Sequence, residues 1–236
     1  MKKVLITGGT GAIGRAIIAD FAKNPEYKIW FSYHNDKQAA DELAVLFDAT
    51  AVQIRDNDIS AVPDDFDILV NNAGIDIFGD KTHTVPDEIF RKHLEVNTML
   101  PFMLCKKMLP AMAARKWGRI VNISSVCGIK PSEDVVAYNV SKAGLNMLTK
   151  TIAKEYAASG ITCNAVAPST IADAGLGWEA IKFYGFEEEL KACINANPSG
   201  RLGRAEEVAA AVVFLAGDSA SFINGVILPV DGAQTA

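Results

Sequence analysis

The chain has 236 residues, half of them hydrophobic and 22% charged, and its formal net charge is −5. This length allows a full hydrophobic core, and the composition excludes an intrinsically disordered chain. The acidic balance gives no general attraction to nucleic acid or to an anionic membrane surface. We therefore expect a compact protein that binds neither nucleic acid nor membrane.

The four cysteines show neither a C-x-x-C pair nor a histidine at ligand spacing. We therefore expect free thiols in a reducing compartment, and no metal site. The apolar start M-K-K-V-L-I ends at Thr7, too early for the core of a signal peptide. No run reaches the ~18 apolar residues of a membrane span. The sequence therefore predicts a cytoplasmic protein.

Short β-branched or aromatic runs alternate with longer segments, several of which have helical spacing. The runs are Val4–Ile6, Ile29–Tyr33, Val52–Ile54, Ile68–Val70, Ile120–Ile123, Ile161–Val166 and Val226–Val230. This alternation predicts an α/β fold with a Rossmann-type, doubly wound parallel sheet and helices on both faces. No linker or repeat divides the chain, so we expect a single domain over residues 1–236.

A glycine-rich turn follows the first run and opens the first helix. Gly9, Gly11 and Gly14 form G-x-G-x-x-G. Such glycines permit a tight turn and close backbone approach, and the helix N-terminus offers N–H groups to a pyrophosphate. The motif predicts dinucleotide binding, with a plain tight connection as the alternative.

The end of the second run bears on the choice of cofactor. No acid stands directly after Tyr33 to take the ribose hydroxyls of NAD, and Asp36 lies three residues further. His34 and Lys37 could instead meet a 2′-phosphate. The sequence thus favours NADP, although both side chains could simply be solvated residues at a helix start.

Two features follow the third run. Asp56 is a candidate to accept a hydrogen bond from the adenine amino group. The next strand begins at Asp67, which leaves little room for a helix, so we expect a shortened crossover. That strand runs into a turn of small and amide residues whose backbone can lie against a ligand: Asn71, Asn72, Ala73 and Gly74.

Four polar residues form a candidate catalytic group. Tyr138 and Lys142 fall one helical turn apart, and a nearby ammonium favours a phenolate, so we expect Lys142 to lower the pKa of Tyr138. Ser125, after the fifth run, could hold the same substrate oxygen as Tyr138. Asn97 lies by the apolar stripe of a helix that we expect Pro101 to bend, where it could instead satisfy freed backbone.

The segment from Pro168 to Gly200 has irregular periodicity and several aromatic residues. These are Trp178, Phe183, Tyr184 and Phe186. A long segment after the carboxyl end of a strand is placed to cover a cleft. We expect residues 169–200 to form a substrate lid, with a packed surface excursion as the alternative.

Taken in order, these motifs resemble the short-chain dehydrogenase/reductase family across nearly the whole chain. Among its members, the chain looks most similar to the 3-oxoacyl-[acyl-carrier-protein] reductases. The carrying motifs are T-G-G-T-G-A-I-G (7–14), Asp56, N-N-A-G (71–74), E-V-N ending at Asn97, I-S-S-V-C-G (123–128), Y-N-V-S-K (138–142), N-A-V-A-P-S (164–169), and R-L-G-R-A-E-E-V-A (201–209).

The resemblance implies hydride transfer between NAD(P)(H) and a small carbonyl or alcohol substrate, free or carried on an acyl carrier protein. Ser125 would polarise the carbonyl and Tyr138 would donate the proton. Lys142 would bind the nicotinamide ribose, and Asn97 would hold a water of a proton relay. The implied cofactor contacts are Gly8, Thr10, Gly11, Ala12, Ile13, Tyr33, Asp56, Asn72, Ala73, Gly74, Tyr138, Lys142 and Ile171.

Other activities and an assembly also follow from the resemblance. An NAD-dependent secondary-alcohol dehydrogenase and a non-catalytic dinucleotide-binding regulator remain as alternatives. Family members commonly pair two long helices, here residues 86–115 and 138–158, so a homodimer or homotetramer is implied.

The sequence departs from the family pattern at four positions. Ala12 stands where single-domain members usually have glycine, and Gly11 where NADP-preferring members often have a basic residue. Ser169 replaces another usual glycine. Asp173 stands where a threonine often contacts the nicotinamide amide.

Overall fold

The computed structural model describes residues 1–77, 81–172, 174 and 187–236. Their strands are β1 (Lys2–Ile6), β2 (Tyr27–Tyr33), β3 (Thr50–Gln53), β4 (Ile68–Asn71), β5 (Gly118–Ile123), β6 (Ile161–Pro168) and β7 (Ile227–Val230). Their α-helices are α1 (Ala12–Phe21), α2 (Lys37–Leu46), α3 (Asp87–Leu94), α4 (Leu100–Arg115), α5 (Val136–Tyr156), α6 (Glu187–Ala196) and α7 (Ala205–Ala216). A π-helical turn, Glu95–Met99, joins α3 to α4.

The strands form one parallel sheet in the order β3-β2-β1-β4-β5-β6-β7. The strand order reverses between β1 and β4, which is where α/β sheets of this type open a crevice at their carboxyl ends. The predicted α/β class and doubly wound parallel sheet are therefore confirmed.

Both faces of the sheet are covered by apolar side chains, as the continuous apolar runs require. On one face α1 and α7 pack together, with Ile17 and Val212 in the core. On the other face α4 and α5 contribute Met108 and Ile152. The helices cover the two faces of the sheet, and the polar residues described below lie at its carboxyl edge.

The crossover between β3 and β4 contains no helix, as predicted. Val62 and Phe66 replace that helix as buried apolar cover, and Phe66 packs edge-on against Trp30 with ring centroids 5.7 Å apart. The crossover begins with Asp56 and Asn57 at φ values of 48° and 58°. Since turn-forming Asp and Asn tolerate this left-handed region, the chain can reverse without glycine.

The structure places a π-helical turn where the sequence predicts a bend near Asn97. Asn97 lies inside the π-helical turn, and Pro101 lies in the first turn of the helix that follows. Because Pro101 has no N–H to offer the carbonyl four residues earlier, the regular ladder cannot continue there, and a wider turn takes its place. The π-turn is therefore a local irregularity that contains a candidate catalytic residue.

The described residues contain neither a membrane-spanning helix nor a cluster of metal ligands. Within the part of the chain that the structure describes, no helix is long and apolar enough to cross a membrane. The same residues hold no cluster of three or more His, Cys, Asp or Glu side chains suited to a metal ion. Within the predicted lid, residues 173 and 175–186 lie outside the described residues, and these include its four aromatic side chains and Asp173.

Candidate active site

The carboxyl ends of β1, β4 and β5 bring most of the predicted site residues to one edge of the sheet. The glycine turn follows β1, the 71–74 turn follows β4, and Ser125 follows β5. Tyr138 and Lys142 reach the same edge from α5, because the Lys142 ammonium donates to the carbonyl of Ile123 at 2.8 Å. Chain order alone separates these groups by more than a hundred residues.

The glycine turn after β1 is shaped by contacts that exclude side chains. Gly8 has φ +65°, and a Cβ at Gly14 would lie 2.3 Å from the carbonyl oxygen of Gly8. Gly11 is the N-cap residue of α1, and no side chain forms a capping hydrogen bond there. The start of the helix therefore offers backbone groups alone. This is the arrangement that binds a pyrophosphate in dinucleotide folds.

The glycine turn is tied to the turn after β4 through Thr7. The Thr7 hydroxyl accepts N–H groups of Asn72 and Ala73, each at 2.9 Å. In return, the Asn72 amide donates to the carbonyls of Thr7 and Gly8 at 2.9 and 3.1 Å. The two predicted cofactor turns therefore form one rigid backbone surface.

This surface fits a dinucleotide on its own geometry. A Cβ at Gly74 would stand 3.2 Å from the Asn97 amide oxygen and 3.4 Å from the Lys142 ammonium. Glycine at this position thus keeps open the space beside both polar groups. The predicted contacts Gly8, Gly11, Asn72, Ala73 and Gly74 lie together, with Thr10, Ala12 and Ile13 in or next to the same turn.

The far end of the crevice is built by the ends of β2 and β3. The Asp36 carboxylate accepts the N–H of Ala39 at 3.0 Å and so caps α2. Lys37 is paired with Asp41 at 2.6 Å. The Nε of Arg55 donates to the carbonyl of His34 at 3.3 Å, and Arg55 forms no salt bridge with a carboxylate of the described residues. The cation directed at this turn is therefore Arg55, which the sequence analysis did not single out.

Other predicted contacts are placed as follows. Tyr33 ends β2, where its carbonyl accepts the N–H of Ile54 at 3.0 Å. Asp56 is exposed on the crossover turn next to Arg55. Ile171 is buried beside Gly203, where a Cβ would lie 2.5 Å from its side chain. The Ser169 hydroxyl donates to the Gln234 side chain and accepts an N–H from the Asn197 amide at 3.4 Å. The serine that departs from the family pattern is therefore hydrogen-bonded to later parts of the chain.

Burial dominates the electrostatics of the Tyr138–Lys142 pair. The Lys142 ammonium lies 5.6 Å from the centre of the Tyr138 ring, and Lys142 is 4% exposed. Burial lowers the pKa of Lys142 to about 8, against the raising effect of Asp76 and Cys127. Burial also raises the pKa of Tyr138, although a hydrogen bond with Ser125 lowers it.

The expectation that Lys142 lowers the pKa of Tyr138 is therefore wrong for the structure described. The apolar surroundings disfavour the phenolate and the ammonium alike, so the pKa of Tyr138 is raised instead of lowered. Tyr138 is consequently held as a neutral phenol at physiological pH. A neutral phenol is a proton donor.

Asn97 links the turn after β4 to the helix that carries Tyr138. Its amide bonds both the N–H and the carbonyl of Ile75, at 2.8 and 2.9 Å. The same amide donates to the Ser141 hydroxyl at 3.0 Å, and Ser141 donates to the carbonyl of Tyr138 at 2.8 Å. Asn97 is 1% exposed, so its side chain is satisfied by the active-site framework rather than by backbone of its own helix.

Three residues near the site were missed by the sequence analysis. Thr7 belongs to the glycine motif, and its position at the end of β1 was a usable signal for a link to the next strand. Arg55 adjoins Asp56, and its charge directly after an apolar run was a usable signal for a residue at the carboxyl edge of the sheet. His93 carried none, because a histidine in an amphipathic helix is usually a surface residue.

Comparison with known proteins gives concordant results. The family described as enoyl-(acyl carrier protein) reductase matches residues 9–235. A 3-oxoacyl-[acyl-carrier-protein] reductase of Haemophilus influenzae is 36% identical, over 98% of this chain and 97% of its own length. A 2-(R)-hydroxypropyl-CoM dehydrogenase of Xanthobacter autotrophicus is 41% identical, over 72% of this chain and 67% of its own.

Solved structures show the same similarity. A crystal structure from Agrobacterium tumefaciens, described as a putative 2-deoxy-D-gluconate 3-dehydrogenase with bound NADP, superposes with a TM-score of 0.87 at 30% identity. The match covers 99% of this chain and 96% of that one.

Proposed function

Because the chain belongs to the short-chain dehydrogenase/reductase family of NAD(P)-dependent oxidoreductases, we propose that it reduces a ketone or 3-oxoacyl thioester to a secondary alcohol with NADPH. The observation that carries the proposal is the convergence of Ser125, Tyr138 and Lys142 beside the glycine cradle. A protein that only bound dinucleotides would need the cradle but not this group.

The role proposed for each candidate catalytic residue follows from its surroundings. The Ser125 and Tyr138 hydroxyls hold the substrate oxygen, and Tyr138, kept neutral by burial, donates its proton to that oxygen. Lys142, with a pKa of about 8, supplies the positive charge that stabilises the phenolate left behind. Asn97 holds the turn after β4 against α5. When bound, NADPH supplies the hydride.

The cradle would hold the cofactor through backbone and small side chains. Gly8, Thr10, Gly11, Ala12 and Ile13 would hold the pyrophosphate, and the 72–74 turn would follow the nicotinamide half. Tyr138 and Lys142 would meet the nicotinamide ribose, Asp56 the adenine and Ile171 the carboxamide. Residues 169–200 would close over the substrate as a lid.

The choice of NADPH over NADH rests on the far end of the crevice. One oxygen of the Asp36 carboxylate caps its own helix, a contact that competes with a role as a ribose ligand. Arg55 directs a guanidinium at the same turn, and guanidinium groups bind phosphates in a bidentate manner. This combination favours a 2′-phosphate over a free 2′-hydroxyl.

The same residues would catalyse the reverse reaction, and the Xanthobacter relative is named a dehydrogenase. A secondary-alcohol dehydrogenase is therefore the second candidate function. The direction is decided by the substrate and the cofactor ratio, since one proton-transfer group serves both directions.

The test is a comparison of Tyr138→Phe with the wild-type protein. We expect the variant to bind NADPH with unchanged affinity, measured by nicotinamide fluorescence, and to lose at least about a hundredfold in kcat toward acetoacetyl-CoA and small ketones. Wild-type turnover by a variant that still binds NADPH would exclude Tyr138 as the proton donor. Binding of NADPH by the wild type without turnover of any ketone, thioester or alcohol tested would support the non-catalytic dinucleotide-binding regulator instead.

A further inference from the structure

His93 is a buried histidine beside the proposed proton donor. It lies on α3 with no exposed surface, and its ring packs edge-on against the Tyr138 ring, with centroids 6.3 Å apart and planes inclined at 77°. None of the roles proposed above uses it. A fully buried polar side chain requires a partner at each polar atom.

Both ring nitrogens of His93 face backbone groups, and these fix its protonation. Nδ1 lies 2.8 Å from the carbonyl of Ile89, which can only accept. Nε2 lies 3.2 Å from the N–H of Ile77, which can only donate. The ring must therefore be neutral, with its hydrogen on Nδ1.

The contact to Ile77 anchors a short segment directly after the cofactor turn. Asn97 holds both backbone groups of Ile75, and His93 holds the N–H of Ile77. Asp76 lies between these two anchors. Ile75 is thus fixed to the π-turn and Ile77 to α3, with the Asp76 carboxylate between them.

The position of this carboxylate matters for the catalytic pair. Asp76 acts electrostatically on Lys142 and on Tyr138, and in both cases it raises the pKa. For Lys142 this opposes the lowering by burial. A carboxylate held here therefore preserves the charged ammonium beside the neutral phenol.

We propose that His93 is a positioning residue: by accepting the Ile77 N–H, it holds the Ile75–Ile77 segment, and with it Asp76, against the Tyr138–Lys142 pair. The proposal rests on the proposed function for the importance of that pair. The contacts of His93 that it describes exist in the free protein, so they can be tested without a substrate.

The groups that act on Lys142 come from three elements. Asp76 in the anchored segment and Cys127 after β5 raise its pKa, and the Tyr138 ring on α5 lies 5.6 Å from its ammonium. Ser125 bonds Tyr138, and the Ser125 hydroxyl also accepts the N–H of Cys127 at 3.1 Å. His93 also packs against the Tyr138 ring, a contact that a phenylalanine can keep, so His93→Phe should reach Lys142 by way of Asp76.

The test follows the lysine side-chain NMR resonances of the protein with pH. Lys142 should titrate near pH 8, well apart from lysines with ordinary pKa values. In His93→Phe, which keeps a ring of similar size but cannot accept the Ile77 N–H, we expect this midpoint to move to lower pH. Asp76→Asn should move it in the same direction, and the double variant should add little to either change. His83→Phe, at an exposed histidine before α3, is the matched control and should leave the midpoint unchanged.

A wild-type measurement keeps the proposal testable if His93→Phe fails to fold. The chain has only three histidines, so ¹⁵N spectra can assign the tautomer of His93. We expect the hydrogen on Nδ1. A hydrogen on Nε2 would overturn the proposal, as would an unchanged Lys142 midpoint in a folded His93→Phe protein.

Kinetics separate the proposal from the proposed function. With NADPH and acetoacetyl-CoA, His93→Phe should lose about tenfold in kcat while its KM for NADPH changes less than about twofold. A structural role alone would lower the melting temperature without moving the Lys142 titration. If Tyr138→Phe retains turnover, the proposed function fails; if Tyr138→Phe is inactive but His93→Phe matches the wild type in kcat and Lys142 midpoint, only the role of His93 fails.

Discussion

Burial and charge act in opposite directions on the ammonium of Lys142. Its apolar surroundings lower the pKa to about 8, while the Asp76 and Cys127 groups raise it. Its hydrogen bond to the Ile123 carbonyl places it at the end of β5 rather than in solvent. A lysine balanced in this way responds to small changes in its neighbours, including a cofactor or a moved carboxylate.

We predict that the preference for NADPH depends on Arg55. Replacing it with glutamine should lower the affinity for NADPH about tenfold, because a charge-assisted hydrogen bond to phosphate is worth about 1.5–3 kcal/mol. Affinity for NADH should be unchanged. Both are measured by titration of nicotinamide fluorescence.

The matched control for Arg55 is Lys37→Gln, at a second basic residue near the same turn. Lys37 is already paired with Asp41, so its loss should affect NADPH binding much less. Equal losses for NADPH and NADH in Arg55→Gln would mean that the guanidinium shapes the turn instead of contacting a 2′-phosphate.

Helices and strands differ in how far the sequence predicts them. The apolar runs locate the seven strands of the described residues, because a strand buried on both faces must be apolar along its length. Their ends were less accurate: β2 begins at Tyr27 rather than Ile29, since backbone pairing with β1 continues through the polar Lys28. The π-turn was missed because it depends on the hydrogen-bond ladder of the folded helix.

The candidate site was predictable to the extent that its residues form local motifs. The Tyr138–Lys142 pair follows from helix geometry, and the glycine turn follows from its spacing. Arg55 and His93 could not be assigned in this way, because their partners, His34 and Ile77, lie on other elements. The pKa of Tyr138 was mispredicted since burial is a tertiary property.

The glycine turn and α1 form a unit whose packing can be tested without cofactor. In Gly14→Ala, the new methyl group would lie 2.3 Å from the Gly8 carbonyl oxygen and 2.8 Å from the Gly9 Cα, so the helix must move away from the turn. We expect the free energy of unfolding to fall by about 1–3 kcal/mol, the usual cost of overpacking. Urea denaturation of the cofactor-free protein measures it.

Gly11→Ala is the control for this change within the same turn. A Cβ at Gly11 meets only the Gly8 carbonyl, at 3.5 Å, and its φ of −75° suits alanine. Its stability should lie within about 1 kcal/mol of wild type, as expected for an N-cap change without steric conflict. Equal destabilisation by both variants would contradict the assigned role of Gly14.

At the scale of the whole molecule, apolar surface remains exposed on the helices that flank the active site. Met99 and Phe102, around the start of α4, are 49% and 42% exposed. Val140 and Met147 on α5 are 43% and 64% exposed. Large apolar side chains gathered on neighbouring helices are typical of an interface.

We therefore predict that the protein is a symmetric homodimer or homotetramer that buries these side chains. The double variant Phe102→Lys/Met147→Lys should shift the assembly to a smaller species, because each interface of a symmetric dimer would then bury like charges twice. Light scattering after size-exclusion chromatography measures the mass. Val45→Lys, at an 86% exposed residue of α2, is the control and should leave the mass unchanged. A wild-type protein that is monomeric at micromolar concentration would refute the interface, and Tyr138 activity in that monomer would show that the site is complete within one chain.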